Sequence, residues 1–171
     1  KPARLFRLSR SKAFLFAGVE IRWKCAAELI GDETPAEGVF QFPGGLADHL
    51  REQIGTRECV TSQFFSGAQE FPDQQGRVEW AVAWPLWSEG SYSWYCNTIP
   101  TPDGGSHEAG FRAALTRGIR AFGEHKGQKK AKDITAEDVM NGAELTLSVF
   151  IRDPQFQSQT KDRLTSPLSV R

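Results

Sequence analysis

Hydrophobic and polar residues alternate along several short stretches of the chain, and this alternation predicts β-strands. The pattern is clearest at residues 77–84 and 144–151. An aromatic-rich stretch at 91–99 follows a turn at 85–90. We therefore expect residues 77–84 and 91–99 to pair as a long antiparallel hairpin. The polar segment 56–76 that precedes them shows no such alternation and is predicted to be irregular.

Shorter strands are predicted at residues 19–24 and 39–42, after a basic amphipathic helix or turn that ends near Gly18. A helix follows Pro43-Gly44-Gly45, since apolar residues recur at every fourth position over 46–54 and form one apolar face. His49 lies on this helix. A lone histidine in such a place is expected to be solvated or to have a satisfied partner.

A longer helix is predicted after the proline- and glycine-rich turn at 100–105, with Ser106 as its cap. Its predicted buried stripe consists of Phe111, Leu115, Ile119 and Phe122. At about 100° per residue, Arg117 and Arg120 fall on the opposite face, and Arg112 falls near the edge of the stripe. A capping box at 135–138 predicts a further short helix.

This mixture of elements, with the best-defined strands predicted to be antiparallel, favours an α+β fold in which helices cover one face of a single sheet. A length of 171 residues fits one domain, or one domain and part of another. The chain does not begin with methionine, so we interpret it as a fragment of a longer protein. It has no apolar run long enough to cross a membrane.

The composition excludes several kinds of site. The three cysteines are far apart and include no CxxC pair, so neither a disulfide framework nor a zinc site is predicted, and a reducing cytoplasm is favoured. Phosphate-cradling, zinc-protease and nucleophile-elbow motifs are also absent. His107 beside Glu108 has no nucleophile or second carboxylate near it in the pattern, which favours a structural role over acid–base chemistry.

Charge is balanced overall, with 21 basic and 21 acidic residues, but its distribution is uneven. Residues 111–132 carry seven basic residues against Glu124 alone. Such a face is usually only solvated, and the alternative is a surface that faces nucleic acid. The aromatic rows of the predicted hairpin likewise favour core packing, with a base-stacking platform as the alternative.

A polar loop at 153–161, DPQFQSQTK, follows the last predicted strand. It contains two amides near a single cation, Lys161. A loop of this kind is usually solvated surface. The functional alternative is a phosphate sensor, because a lysine ammonium is a compact charge on a flexible stem.

Several segments together resemble the ATPase subunits of type IIA DNA topoisomerases. Residues 97–117, NTIPTPDGGSHEAGFRAALTR, are similar to the N-x-I-x-T-x-x-GG-[ST]-H signature of that family, and residues 153–161 are similar to its D-P-x-F-x-x-Q-T-K loop. The glycine pair before Leu46 and the helix start at 134–139 also match, in order. Residues 10–21 are closer to the topoisomerase IV branch than to the gyrase branch.

The resemblance implies a transducer domain, whose fold is a sandwich similar to the second domain of ribosomal protein S5. It implies that residues 1–40 are the tail of a preceding ATP-binding domain and that residues 41–171 are the transducer domain. In that family the preceding domain supplies the magnesium-binding asparagine, the catalytic glutamate and the lid. We therefore expect ATP as cofactor, with Mg²⁺ held outside this chain and no metal site within it.

The resemblance also implies roles for individual residues. Lys161 is expected to reach the γ-phosphate of ATP, with Gln159 assisting, and Arg112, Arg117 and Arg120 are expected to face double-stranded DNA. The implied partners are DNA, the A-type subunit of the topoisomerase, and a second copy joined through the ATP-binding domain. The alternative function is a stand-alone nucleic-acid-binding or structural module without ATP coupling.

Overall fold

The computed structural model describes residues 1–167. The chain divides into two compact units, Lys1–Gly55 and Thr56–Arg171. The predicted border at residue 40, between the tail of one domain and the start of another, stays a prediction. No helix in the described part of the chain has the length and apolar character needed to span a membrane.

The first unit contains two helices and a two-stranded sheet. Helix α1 spans Pro2–Leu15 and helix α2 spans Leu46–Ile54. Strand β1, Ile21–Lys24, pairs antiparallel with strand β2, Glu37–Phe40. A single 3₁₀ turn, Ala27–Leu29, lies between the strands. The helices and strands predicted for this unit are present, but β2 begins and ends two residues earlier than the predicted 39–42.

The core of the first unit contains a buried histidine. The ring of His49 stacks on Phe14 with 3.7 Å between ring centroids, and the edge of Phe42 contacts it. His49 is only 5% exposed, and its Nδ1 has no hydrogen-bond partner among the described residues, so the expectation of a solvated or satisfied side chain was wrong. Loss of solvation on burial lowers the pKa of His49 to about 4.

The second unit is built on a five-stranded sheet with the order β3-β4-β7-β5-β6. Its strands are β3 (Phe65–Glu70), β4 (Gly76–Ala83), β5 (Ser91–Cys96), β6 (Ile99–Pro100) and β7 (Glu144–Ile151). Its helices are α3 (Ser106–His125) and α4 (Ala136–Met140), with 3₁₀ turns at Pro72–Gln74 and Lys129–Asp133. The predicted capping box is confirmed at the start of α4.

The predicted hairpin between residues 77–84 and 91–99 is wrong. Strand β7 lies between β4 and β5: it pairs antiparallel with β4, where Val82 is opposite Leu145, and parallel with β5, where Trp94 is beside Leu147. Periodicity shows which face of a strand is buried, but it does not show which strand lies next to it. The parallel pair needs a long crossover, and this connection contains α3 and α4.

The segment 56–76 is not wholly irregular, because it contains β3. All six residues of β3 are exposed, so the sequence has no alternation from which to predict this edge strand. Pairing with β4 and a close contact hold it in place. A Cβ at Gly67 would lie 2.7 Å from the ring of Trp80, so the Trp80 side chain covers that position.

The core of the second unit lies between one face of the sheet and the two helices. Leu115 of α3 and Met140 of α4 join one buried cluster with Val82, Leu147 and Val149 of the sheet. The α+β class, with helices packed against a mixed sheet, is therefore confirmed, but the expectation of a single sheet was wrong, because β1 and β2 form a separate sheet. Phe111 and Ile119 pack against this cluster and are partly buried.

Phe122 does not complete the predicted buried stripe, since it is 64% exposed. Together with Phe111 and Ile119 it borders an open apolar cavity of about 1300 Å³ within the second unit. The other aromatic walls come from the sheet side and include Phe65, Phe71, Trp80 and Trp84.

Candidate functional site

The polar loop after β7 has two arms that bind each other through their backbones. The amide of Gln157 donates to the carbonyl of Arg163 at 3.0 Å, and the amide of Thr165 donates to the carbonyl of Gln155 at 2.8 Å. At the tip, the Lys161 amide donates to the Ser158 carbonyl at 3.1 Å. The tip is therefore an ordered turn of the chain, closed by its own backbone bonds.

Both residues predicted to sense phosphate lie at this tip. Gln159 and Lys161 are exposed, two positions apart. Lys161 has a φ of +62°, a left-handed conformation that is uncommon for a residue other than glycine. Its Nζ lies 5.8 Å from the centre of the Phe156 ring, and it forms no ion pair within residues 1–167. A cation and an amide are thus available to an anion.

The second arm of the loop docks on the turn that precedes α3. The Asp103 amide donates to the Asp162 carbonyl at 2.9 Å, the Leu164 amide donates to Gly104 at 3.1 Å, and the Ser106 amide donates to Leu164 at 3.0 Å. The Arg163 guanidinium also donates to the carbonyl of Asp103, at 2.7 Å. The sequence predicts a turn at the glycine pair 104–105, but it does not predict this docking.

The α3 turn is supported from within by a buried polar pair. Thr101 Oγ1 lies 3.0 Å from His107 Nε2, and the two residues are 0% and 2% exposed. Loss of solvation lowers the pKa of His107 to about 4, so the imidazole is neutral at pH 7. The edge of this ring contacts Trp94. These contacts agree with the structural role predicted for His107.

Gly105, rather than Ser106, occupies the N-cap position of α3, and no side chain caps the helix there. The prediction of a Ser106 cap was therefore wrong by one position. The left-handed φ of +133° at Gly105 is one that a residue with a side chain adopts only with strain. The turn takes its shape from glycine, and the Ser106 amide is bound by the loop instead.

The three arginines predicted to face DNA are not equivalent. Arg112 is held by Glu108, with Nε and Nη2 each 2.9 Å from Oε1, and its guanidinium lies 5.1 Å from the centre of the Tyr92 ring. Arg120 donates to the carbonyl of Ile134 at 2.5 Å. Arg117 is exposed, and its guanidinium forms no ion pair or hydrogen bond within the part of the chain that the structure describes.

Arg117 and Arg120 border the same shallow cavity, of about 550 Å³, and Arg112 does not. The structure thus brings two of the three arginines together. Beyond them, exposed lysines continue past the end of α3 at positions 126, 129, 130 and 132. The turn that carries most of these lysines is anchored by buried Ala131, which packs against Gly123.

Carboxylates and histidines do not gather into a metal site in the described residues, where no group of three or more metal-ligating side chains is found.

Comparison with known proteins identifies the family to which this loop and helix belong. Residues 45–170 match the family model for DNA gyrase B, which covers the two-armed loop, the docking turn and the basic helix. The chain belongs to the DNA gyrase B family. The resemblance to topoisomerase ATPase subunits is therefore confirmed, and a stand-alone module outside this family has no support.

Relatives in this gyrase B family include topoisomerase IV proteins. The chain is 50% identical to the B subunit of DNA topoisomerase 4 from Caulobacter vibrioides, over 97% of this chain and 24% of that protein. It is 46% identical to the corresponding protein of Bartonella bacilliformis, and 35% identical to the B subunit of DNA gyrase from Mycolicibacterium smegmatis. The chain spans about a quarter of the length of these curated relatives.

Solved structures of the gyrase B family share the fold. The 43K ATPase domain of Thermus thermophilus gyrase B superposes with a TM-score of 0.80 at 23% identity, over 99% of this chain and 44% of that one. The topoisomerase IV ATP binding domain of Francisella tularensis gives 0.74 at 25% identity, over 98% and 43%.

Proposed function

We propose that this chain is the transducer region of the B subunit of an ATP-hydrolysing type II DNA topoisomerase, in the topoisomerase IV branch. In this proposal Lys161 contacts the γ-phosphate of ATP and Gln159 assists. The observation that carries it is the exposed pair of a cation and an amide at the tip of a loop whose two arms are both bound. A solvated surface loop needs no such docking.

The chemistry of these two side chains suits a terminal phosphate. A lysine ammonium and an amide N–H both donate to phosphate oxygens, and they stabilise negative charge that develops as the phosphoryl group transfers. ATP supplies the phosphoryl group, and Lys161 and Gln159 bind it. Hydrolysis removes the γ-phosphate and therefore breaks this interaction. Its removal shifts the balance between two positions of the transducer, since a ligand favours the state that it binds better.

The domain assignment of the proposal follows the sequence. Residues 1–40 are the tail of the ATP-binding domain, and residues 41–171 form a transducer domain similar to the second domain of ribosomal protein S5. The family match over residues 45–170 and the mixed sheet with helices on one face support this assignment. In this proposal Mg²⁺ is held by the preceding domain.

The proposed partners are double-stranded DNA, the A-type subunit and a second copy joined through the ATP-binding domain, in the cytoplasm. DNA contact is assigned to the basic helix, where phosphates would be bound without reading of sequence. Arg117 is the best placed of the three arginines, because Arg112 and Arg120 already have partners within the fold.

The decisive test is Lys161→Ala in the full-length B subunit. We expect kcat for ATP hydrolysis to fall at least about 100-fold, as is typical when a donor that stabilises developing charge is removed. The matched control is Lys126→Ala, another exposed lysine, measured without DNA and expected to hydrolyse ATP at the wild-type rate. Wild-type turnover in Lys161→Ala, with the fold intact, contradicts the assignment.

A further inference from the structure

We propose that Gly105 is a positioning residue for Lys161. The absence of a side chain at Gly105 lets the second arm of the Lys161 loop dock on the turn that starts α3. This docking fixes the position and orientation of the loop tip that carries Lys161. The inference rests on the proposed function of Lys161.

The contact at Gly105 leaves no room for a side chain. A Cβ there would lie 2.2 Å from the Leu164 carbonyl oxygen, 2.7 Å from its nitrogen and 2.9 Å from its carbonyl carbon. All three are backbone atoms, which cannot rotate away as the end of a side chain can. At Gly104, by contrast, a Cβ would meet the carboxylate of Glu108, which is the end of a flexible side chain.

The loop arm that contacts Gly105 is close to Lys161 in the sequence. Leu164 is three residues further along the chain and is 1% exposed, so it cannot shift without opening the core of the second unit. Its amide and carbonyl bind Gly104 and Ser106. Any side chain at Gly105 therefore displaces Leu164 and, with it, the backbone bond between Arg163 and Gln157 that closes the loop.

The turn itself cannot easily yield to such a displacement. The Gly104 amide donates to the carbonyl of Thr101 at 2.8 Å, and the Thr101 hydroxyl is bound to the buried His107. Because the Thr101 and His107 side chains are both buried, they hold the turn against the interior of the second unit. A Gly105 side chain therefore strains the turn through its φ of +133° and also collides with the loop arm at Leu164, and the variants below separate the two effects.

The test compares Gly105→Ala, Lys161→Ala and the double variant in the full-length B subunit. Gly127→Ala is the matched control, because Gly127 also has a left-handed φ, +72°, but a Cβ there meets nothing within 4 Å. We expect Gly105→Ala to lower kcat for ATP hydrolysis at least tenfold, with KM changed less than twofold. On the Lys161→Ala background, Gly105→Ala should lower kcat no further, because it acts only through that lysine. An equal fold-loss on both backgrounds overturns the proposal.

Amide hydrogen exchange tests the docking without relying on catalysis. Gly105→Ala should increase exchange at the Leu164 and Ser106 amides, and Gly127→Ala should leave both unchanged. Wild-type protection of both amides in Gly105→Ala overturns the proposal. If Lys161→Ala proves fully active, the proposed function fails, and the exchange result alone decides whether Gly105 governs the docking.

A second variant covers the case in which Gly105→Ala does not fold. Arg163→Ala removes the guanidinium bond to Asp103 from an exposed side chain and leaves the backbone intact. We expect a smaller loss of kcat, about threefold, that is absent on the Lys161→Ala background. Arg163→Lys keeps a donor and should restore most of the activity. Loss of kcat from Arg163→Ala on both backgrounds counts against the positioning role.

Discussion

The guanidinium of Arg112 is bound to the carboxylate of Glu108 one helical turn earlier, with Nε and Nη2 each 2.9 Å from Oε1. The same guanidinium lies over the Tyr92 ring. These contacts compensate its charge and fix its direction within the second unit. Arg117, five residues later on the same helix, is exposed and unpaired within the described residues. The two arginines should therefore contribute differently to DNA binding.

Reversing the charge of Arg117 separates DNA binding from ATP hydrolysis. In the full-length enzyme, Arg117→Glu should impair strand passage more than basal ATP turnover, because it removes a cation that binds DNA phosphate away from the nucleotide. Removing one such phosphate interaction should also reduce the slope of log affinity against log salt by about 0.9. The measurement is DNA affinity at several salt concentrations, with decatenation and ATPase rates beside it.

Arg4→Glu is the charge-matched control for this experiment, since Arg4 is also exposed but lies in the first unit. It should leave the salt slope unchanged. Arg112→Glu is a less informative variant, because it places two carboxylates together with Glu108 and destabilises α3. Equal loss of ATP turnover and strand passage in Arg117→Glu would count against a DNA-facing helix.

His107 should make the second unit sensitive to acid. Its pKa in the folded protein is about 4, below its ordinary value of 6.5, because burial disfavours the charged ring. Between these values the unfolded chain binds a proton that the folded chain does not, so the free energy of unfolding falls as pH drops from 6.5 toward 4. At pH 5 the loss should be about 2 kcal/mol.

The check is urea unfolding of the chain at pH 7 and pH 5, monitored by tryptophan fluorescence. His107→Gln should be less stable at pH 7 but should lose less stability on acidification. His49 has a similarly lowered pKa and will keep part of the pH dependence in that variant. His125→Gln, at an exposed position of the same helix, should behave as wild type. An unchanged pH dependence in His107→Gln would refute the assignment.

The cysteines should differ in reactivity. Cys96 is 0% exposed, and burial raises the pKa of its thiol to about 12, so almost no thiolate forms near pH 7. Cys25 and Cys59 are half-buried. We expect a thiol reagent to modify two cysteines in the native chain and all three in urea, as counted by mass spectrometry. Rapid modification of Cys96 in the native chain would show that the sheet opens there.

The sequence predicted the strands β4 and β7 to within about one residue, since their alternation records which side chains are buried. It did not predict that β7 lies between β4 and β5, because pairing depends on contacts between distant parts of the chain. It missed β3 because an edge strand exposed on both faces leaves no alternation. Phe122 was wrongly predicted to be buried. The spacing of apolar residues shows which face of a helix can pack against a partner, but it does not show how much of that face the partner covers.

The sequence likewise predicted some features of the candidate site and missed others. Lys161 and Gln159 were identified from a motif and found together at a loop tip. The contact between Gly105 and Leu164 was not foreseen, because nothing in either segment marks the other as its neighbour. The ion pair of Arg112 with Glu108 could have been predicted, since residues four apart on a helix face each other.

The ion pair of Arg57 with Glu144 should stabilise the second unit. Both guanidinium Nη atoms bind the carboxylate, Nη2 at 2.8 Å from Oε2, and the Ser88 hydroxyl donates to Oε1 at 3.1 Å. The Arg57 hydrogen bond lowers the pKa of Glu144, so this stability is present above the unfolded pKa near 4.5 and is lost as pH falls through the folded value. Glu144→Gln should lower the free energy of unfolding by about 1 kcal/mol at pH 7, since Arg57 is partly exposed, and by less at pH 4.

Glu20→Gln is the control. It breaks the exposed pair of Glu20 with Arg22 and should have no measurable effect on urea unfolding. Equal small effects in the two variants would mean that solvent screens both pairs alike.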